Sequence, residues 1–145
     1  MHFDPRRLRP AELLALAAGG LLAVSLFLPW YRFPGGRRDA WNALSVTEIP
    51  AALAALIALA LALATLTQRS PALPVALAVW TTALGLISVV ALAVRTAVLP
   101  GLATERCYGL WLALGAAIAV LLAGCLSMRD ERPYWGVPAG EPPLR

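Results

Sequence analysis

Four long stretches without a charged residue constrain this chain more than any other feature of its sequence. They are Leu13–Tyr31, Ile49–Gln68, Ser70–Val94 and Cys107–Met128. A helix needs about 20 apolar residues to cross about 30 Å of hydrocarbon, and each stretch reaches that length. Within lipid, a single segment satisfies its own backbone hydrogen bonds only as a helix. The sequence therefore predicts four transmembrane helices.

The composition of the whole chain agrees with a membrane protein. Hydrophobic residues make up 60% of it and charged residues only 14%, whereas a soluble domain carries about 25% charged residues. The net charge is +4, but the arginines that produce it are spread over the ends of the apolar stretches. This distribution fits anionic lipid headgroups better than a nucleic acid. We expect membrane lipids as partners and no nucleic acid.

The predicted fold class is all-α: a membrane-spanning four-helix bundle with short loops. One domain covers residues 1–132, with spans at about 12–31, 48–68, 73–95 and 107–128. Residues 133–145 hold four prolines and two glycines and are expected to form a flexible tail.

Local signals mark where the predicted helices begin and end. Pro29, Trp30 and Tyr31 are expected to close the first helix, and Pro34-Gly35-Gly36 to form a turn. Asp39 is expected to begin a short helical segment through Trp41. Thr47 or Ser45 is the expected cap of the second helix. Ser45 and Glu48 have the spacing of a capping box, but Pro50 fits better if Thr47 is the cap, since proline is tolerated only in the first turn.

The orientation rests on the distribution of arginines. With four spans, both termini lie on one side, and that side carries seven arginines against five on the other. The N-terminus is rich in arginine, and the first helix usually dominates orientation. Both termini are therefore predicted to be cytoplasmic. The first span resembles a signal peptide at its start, but its apolar run is too long and lacks a small-residue cleavage site, so a retained anchor is expected.

Small residues are expected to mediate contact between the helices, because lipid offers no hydrophobic driving force for association. Each predicted helix carries a column of them. The columns are Ala15, Gly19 and Ala23; Ala51, Ala54, Ala55, Ala58, Ala62 and Thr65; Thr81, Thr82, Gly85 and Ser88; and Gly109, Ala113, Ala117 and Gly124.

Several chemistries lack the residues they need. The four stretches hold no Asp, Glu, His, Lys or Arg, although membrane enzymes and coupled transporters usually carry such groups within the bilayer. The sole histidine is His2. Cys107 and Cys125 would lie about 27 Å apart along one helix, too far for a disulfide. We expect no enzyme activity, no cofactor and no metal site. Cys107 is expected to be a bystander, with an intermolecular disulfide as the alternative.

The order of short motifs is similar to that of a group of known proteins. An arginine-rich start precedes Leu28-Pro-Trp-Tyr31, then Ala40-Trp41-Asn-Ala43, a tight connection between the second and third spans, Tyr108-Gly-Leu110 and Ser127-Met-Arg-Asp130. In this the chain resembles uncharacterised small four-helix integral membrane proteins of high-GC bacteria. The resemblance implies a location in the bacterial inner membrane and carries no functional residue.

Aromatic residues and arginines fall together on the predicted extracytoplasmic face. The candidate interaction surface consists of Trp30, Tyr31, Arg32, Arg37, Arg38, Trp41, Arg95, Arg106, Tyr108 and Trp111. One interpretation is an aromatic belt with arginines that reach the lipid phosphates. The other is a recognition surface for an anionic lipid, an envelope precursor or a partner protein, which could be another membrane protein or a second copy of the chain. The predicted function is a structural or interaction role in the membrane, with a small-solute transporter or channel subunit as the alternative.

Overall fold

The computed structural model of the protein describes residues 10–43, 48–67, 72–99 and 101–130, and most of them are helical. The four helices are α1 (Pro10–Ser25), α2 (Glu48–Thr67), α3 (Ala72–Ala97) and α4 (Tyr108–Asp130). The helices pack mainly against their neighbours in the order α1, α2, α3, α4 and back to α1, and α2 also contacts α4. The predicted cap at Thr47 and the predicted tail lie outside the described residues.

The predicted bounds of the second, third and fourth helices agree with the structure to within about two residues, the usual uncertainty of a helix end. Pro50 lies in the first turn of α2, where its missing N–H would have no partner inside the helix. A 3₁₀ helix covers Trp41–Ala43, and the Asn42 backbone N–H donates to Asp39 Oδ1 at 2.9 Å. Asp39 therefore begins a short helical segment, as predicted.

The expected end of the first helix is wrong. Helix α1 ends at Ser25 rather than at Tyr31, and Leu26 and Phe27 form a turn in which their N–H groups donate to the Ala23 and Val24 carbonyls. Pro29 then begins a strand. The hydrophobic run continues past Ser25, but the chain turns so that Trp30 can be buried and its indole can bond to the Ser25 carbonyl.

A small antiparallel sheet was not predicted. It has the strand order β2-β1-β3, with β1 at Pro29–Phe33, β2 at Gly36–Asp39 and β3 at Glu105–Arg106. Strands β1 and β2 form a hairpin whose turn contains Pro34 and Gly35, as the sequence indicated. Gly36 closes it with a φ of 125°, a conformation that side chains disfavour.

Two of the helices in the described part of the chain are long and apolar enough to cross a membrane. They are Ala76–Ala97, with a mean hydropathy of 2.2, and Tyr108–Arg129, with a mean hydropathy of 2.3. The apolar stretches Pro10–Ser25 and Glu48–Ala64 are shorter. The 16 residues of α1 extend over roughly 24 Å, which is less than the sequence predicted because the strand replaces its last turns.

Small residues fill the interface between the helices, as predicted. Ala15, Ala51, Ala58, Ala113 and Ala117 are all buried, and Gly19 lies so close to α2 that a Cβ there would be 3.1 Å from the Ala58 Cβ.

Helices α3 and α4 are equally close. A Cβ at Gly85 would lie 3.0 Å from the Leu121 Cα, and one at Gly124 would lie 2.5 Å from Thr82 Oγ1 and 2.9 Å from the Thr82 backbone nitrogen. The predicted small, weakly polar stripe of α3 is therefore the surface that meets α4.

The large apolar side chains lie mostly on the outside. Every one of the four helices exposes several of them, including Leu13 and Val24 on α1, Leu56 on α2, Ile87 on α3 and Leu122 on α4. The interior is thus rich in alanine while the outer surface is rich in leucine, valine and isoleucine.

The close approach at Gly109 makes a first prediction. A Cβ there would lie 2.6 Å from the Pro29 carbonyl oxygen, so Gly109→Ala should lower the free energy of unfolding by about 1–3 kcal/mol through overpacking. Gly115 lies on the same helix with no atom near its virtual Cβ. Gly115→Ala should instead be neutral or raise stability by about 0.5–1 kcal/mol. Unfolding in detergent micelles, followed by circular dichroism, distinguishes these results; equal behaviour of the two variants would contradict the packing described above.

Candidate functional site

The sheet collects the predicted surface residues at one end of the bundle, which we call the sheet end: β1, β2, β3, the 3₁₀ helix, the last turn of α3 and the first turn of α4. Thr104 N–H donates to the Arg32 carbonyl at 2.8 Å and Cys107 N–H to the Trp30 carbonyl at 2.7 Å. These bonds hold the segment before α4 against β1. All ten predicted residues belong to elements of the sheet end.

Trp30 and Tyr31 are buried. The prediction that they belong to an exposed surface is therefore wrong. Trp30 is 0% exposed and Tyr31 1% exposed. The Trp30 indole N–H donates to the Ser25 carbonyl at 2.8 Å, and the Tyr31 hydroxyl donates to the Arg95 carbonyl at 3.0 Å. Both bonds satisfy carbonyls at helix ends, which lack partners within the helix. These two aromatic residues join the sheet to α1 and α3 and cannot contact a ligand.

Burial changes the chemistry of Tyr31. Loss of water around the phenol raises the pKa of Tyr31 above its ordinary value of 10.0, and the nearby positive charges of Arg95 and Arg106 lower it by less. The phenol therefore stays protonated and keeps its hydrogen bond throughout the neutral range.

Two arginines of the predicted surface have partners within the sheet end. Arg32 forms an ion pair with Glu105 across the β1–β3 ladder, with 2.8 Å between Nη1 and Oε2. Arg106 Nη2 donates to the Ala97 carbonyl at the end of α3, where positive charge complements the helix dipole. Because the Arg32–Glu105 pair is exposed, it contributes at most about 1 kcal/mol to stability.

Arg37 and Arg38 lie on the edge strand β2. Arg37 stands directly opposite Arg32 in the ladder, and Glu105 offsets the repulsion that two facing arginines create. The Arg38 guanidinium carbon lies 4.9 Å from the centre of the Phe33 ring, within cation–π range. Both arginines are exposed.

A cavity of about 460 Å³ opens beside these arginines. It is lined by Arg37, Arg38, Asp39 and Asn42. Asp39 Oδ1 accepts hydrogen bonds from the Asn42 backbone N–H and from Asn42 Nδ2, at 2.9 and 2.7 Å. These bonds of the Asp39 carboxylate hold the start of the 3₁₀ helix. The lining of the cavity carries the two positive charges of Arg37 and Arg38 and the one negative charge of Asp39.

An apolar groove lies next to that cavity, between α1 and α2. It has a volume of about 250 Å³ and is lined by Ala23, Leu26, Phe27, Trp41, Ala52, Ala55, Leu56 and Leu59. Trp41 meets Phe27 with 6.3 Å between the ring centroids and a tilt of 45°. Phe27 was not among the predicted site residues, because the sequence placed it inside a helix; only the turn after Ser25 brings its ring beside Trp41.

Tyr108 and Trp111 are exposed aromatic residues of the sheet end, as Trp41 is. Both lie in the first turn of α4 and are more than half exposed. They lie on the outer side of the bundle, since Gly109 and Leu110 of the same turn are buried.

Nothing in the described part of the chain forms a metal site: no group of three His, Cys, Asp or Glu residues lies close enough to hold an ion. Cys107 and Cys125 are both free cysteines and are partly exposed.

Comparisons with protein-family models, with curated proteins and with solved structures found no match to this chain. The resemblance to small four-helix membrane proteins therefore stays a prediction, and the function is argued from the residues and their contacts.

Tyr31 makes the second prediction. Because its pKa is raised in the folded state, its contribution to stability is complete below about pH 10 and is lost as the pH rises through the raised pKa. Tyr31→Phe should remove this decline and, at neutral pH, cost about 1 kcal/mol for the lost hydrogen bond. Unfolding at a series of pH values measures both effects. Tyr108→Phe is the control, since that side chain is exposed; an alkaline decline unchanged in Tyr31→Phe would contradict the assignment.

Proposed function

We propose that this protein is an integral membrane protein of the bacterial inner membrane with a structural or interaction role. It would act through the exposed aromatic and arginine residues of the sheet end. The observation that supports this proposal is the distribution of side-chain size, with alanine and glycine inside the bundle and large apolar residues outside. A protein in water hides its large apolar side chains and exposes patches of only a few hundred Å².

The degree of burial of the long helices supports membrane insertion over a soluble helical core. Only 28% of the apolar window in Ala76–Ala97 and 44% of that in Tyr108–Arg129 is buried. The core helix of a soluble protein would be mostly buried. In lipid, an exposed leucine costs nothing, while helices gain contact through close approach of small residues.

The short first helix is compatible with a spanning bundle. After Ser25, the chain continues as a turn and strand whose backbone groups are hydrogen-bonded to β2, β3 and each other. Satisfied backbone groups are what the bilayer requires, and a span that is a few residues short is accommodated by local thinning of the bilayer at modest cost. The sheet end would then lie at the headgroup level on the extracytoplasmic side, with both termini in the cytoplasm.

Besides Arg32 and Arg106, which are exposed but bond within the sheet end, the predicted surface has five exposed residues. They are Arg37, Arg38, Trp41, Tyr108 and Trp111, whereas Trp30 and Tyr31 are buried and hold the fold. Headgroup-level aromatics and arginines suit lipid phosphates and suit a partner protein at the membrane surface.

The alternative of a small-solute transporter receives less support. A polar path between the helices would have to use their hydroxyl groups. The Thr81 and Thr82 hydroxyls donate instead to the Leu77 and Ala78 carbonyls of their own helix, at 2.7 and 2.9 Å. The Ser25 hydroxyl likewise donates to the Leu22 carbonyl. Such back-bonding is the ordinary use of these residues in a membrane helix.

Membrane insertion and orientation make the third prediction. A cysteine at Gly35 is placed at the exposed tip of the β1–β2 turn, where its virtual Cβ has no neighbour; Gly36 is unsuitable because of its φ of 125°. Gly35→Cys in intact cells should react with a membrane-impermeant thiol reagent, and the protein should stay in the membrane pellet after alkaline extraction. Release by alkali would contradict membrane insertion, and labelling only after lysis would contradict the orientation.

The interaction role makes the fourth prediction. Crosslinking in intact cells should give a species with a protein or lipid at the sheet end, and Arg37→Ala with Arg38→Ala, or Trp41→Ala, should abolish it without preventing insertion. Arg129→Ala is the matched control, since Arg129 is exposed in the last turn of α4, at the opposite end of that helix. Persistence of the species in all variants would leave the aromatic-belt interpretation in its place.

A further inference from the structure

We infer that the groove between α1 and α2, together with the arginines of β2, binds one anionic phospholipid. An acyl chain would occupy the groove and the phosphate would contact Arg37 and Arg38. This inference rests on the proposed membrane location and names the chemical class of the ligand for one part of the sheet end.

The groove has the character of an acyl-chain site. Its floor is made by Ala23, Ala52 and Ala55, where neighbouring positions carry leucine, and its wall by Leu26, Leu56 and Leu59. The small side chains create the depression, and the described residues that line it contribute no polar atom to its surface. Only an apolar occupant suits such a surface, and at this depth of a membrane the abundant apolar occupant is a lipid chain.

Two aromatic rings lie at the headgroup end of the groove. Phe27 is 70% and Trp41 45% exposed, although their rings contact each other. An indole prefers the boundary between headgroups and chains. Trp41 would therefore mark the depth at which the acyl chain of the ligand meets its glycerol backbone.

The arginine cavity and the groove are linked by the 3₁₀ helix. Trp41 lines the groove and Asn42, the next residue, lines the cavity. Ala40 N–H donates to the Leu26 carbonyl at 3.3 Å, which ties the start of the 3₁₀ helix to the end of α1. We therefore assign the chain of one lipid to the groove and its headgroup to the cavity.

The charge of the cavity favours an anion. Arg37 and Arg38 carry two positive charges and Asp39 one negative charge, and Asp39 Oδ1 is occupied by Asn42. In contrast, the positive charge of Arg32 is neutralised by Glu105. Arginine presents a planar fork of donors that matches phosphate oxygens. A phosphate held only by charge would also bind when free in solution, so the groove is the feature that selects a lipid.

The probe for this site differs from its control in charge. Phosphatidylglycerol carries a net negative charge on its phosphate, whereas the positive choline group neutralises the phosphate of phosphatidylcholine. Phosphatidylglycerol is therefore the anionic phospholipid we choose as the probe.

Fluorescence quenching by brominated lipids tests the inference. The full chain with Trp80→Phe, Trp111→Phe and Trp135→Phe retains buried Trp30 and accessible Trp41 as reporters. It is reconstituted in vesicles of phosphatidylcholine and phosphatidylglycerol, with bromine on the chains of one lipid or the other. We expect phosphatidylglycerol to quench Trp41 at a several-fold lower mole fraction than phosphatidylcholine does.

Charge variants in the same reporter background identify the headgroup site. Arg37→Gln should lower the preference for phosphatidylglycerol, and the double variant with Arg38→Gln should abolish it, since one arginine near an anionic surface contributes up to about a fivefold affinity. Arg129→Gln removes the same charge far from the groove and should leave the preference unchanged. Equal quenching by the two lipids, or an equal effect of Arg129→Gln, would overturn the inference.

Filling the groove tests the chain site independently. Ala52→Phe places a ring in the groove and should reduce quenching of Trp41 by either lipid, whereas Ala83→Phe adds the same bulk at an exposed position of α3 and should not. Unchanged quenching in Ala52→Phe would overturn the acyl-chain site. Free inorganic phosphate, added as a competitor, should not displace the lipid; displacement would mean that the arginines bind phosphate alone.

The result separates this inference from the proposed function. Alkaline extraction of the same vesicles reports whether the protein is inserted at all. Release of the protein by alkali would contradict the proposed membrane location. A protein that stays inserted but shows no preference between the two lipids would contradict only the phospholipid site.

Discussion

The structure depends on backbone-level contact between α4 and its neighbours. At Gly109 the helix touches the Pro29 carbonyl, and at Gly124 it touches the backbone of Thr82. No side chain can be inserted at either point without moving a neighbouring strand or helix. In the proposed membrane location, lipid gives helices no hydrophobic reason to associate, and such contacts and the alanine columns beside them would supply the attraction. The same contacts hold β1 against the first turn of α4, so the site is built on the packing of the bundle.

At the sheet end, side chains satisfy the backbone carbonyls that the helix ends leave without a partner. The Trp30 indole N–H and the Tyr31 hydroxyl donate to carbonyls at the ends of α1 and α3. Arg106 donates to a third carbonyl, that of Ala97. With these groups satisfied, β1 is held firmly at the centre of the sheet. Its neighbour β2 is an edge strand, and that position leaves Arg37 and Arg38 exposed beside the groove.

These contacts divide the aromatic residues and the arginines of the sheet end into structural and exposed groups. Two aromatics are structural, while Trp41, Tyr108 and Trp111 are exposed. Arg32 and Arg106 have partners within the protein, while Arg37 and Arg38 line an open cavity. Composition alone cannot make this distinction, because it depends on which groups of distant segments each side chain contacts, such as Glu105 for Arg32 and the Ala97 carbonyl for Arg106. The proposed interaction role and the proposed phospholipid site both depend on the exposed members.

The sequence by itself determined the four helices and the small-residue columns through which they pack, because apolar run length and residue size act locally along the chain. It also indicated the turn at Pro34-Gly35 and the grouping of residues 29–42 with residues 95–111. The sheet, the early end of α1 at Ser25 and the pairing of Phe27 with Trp41 were decided only by tertiary structure. Each of them depends on contacts between distant segments: the Trp30 carbonyl accepts from Cys107 and the Arg32 carbonyl from Thr104. The residues next to Trp30 and Tyr31 in the chain do not indicate these distant partners. The burial of the two side chains could therefore not be predicted from the sequence.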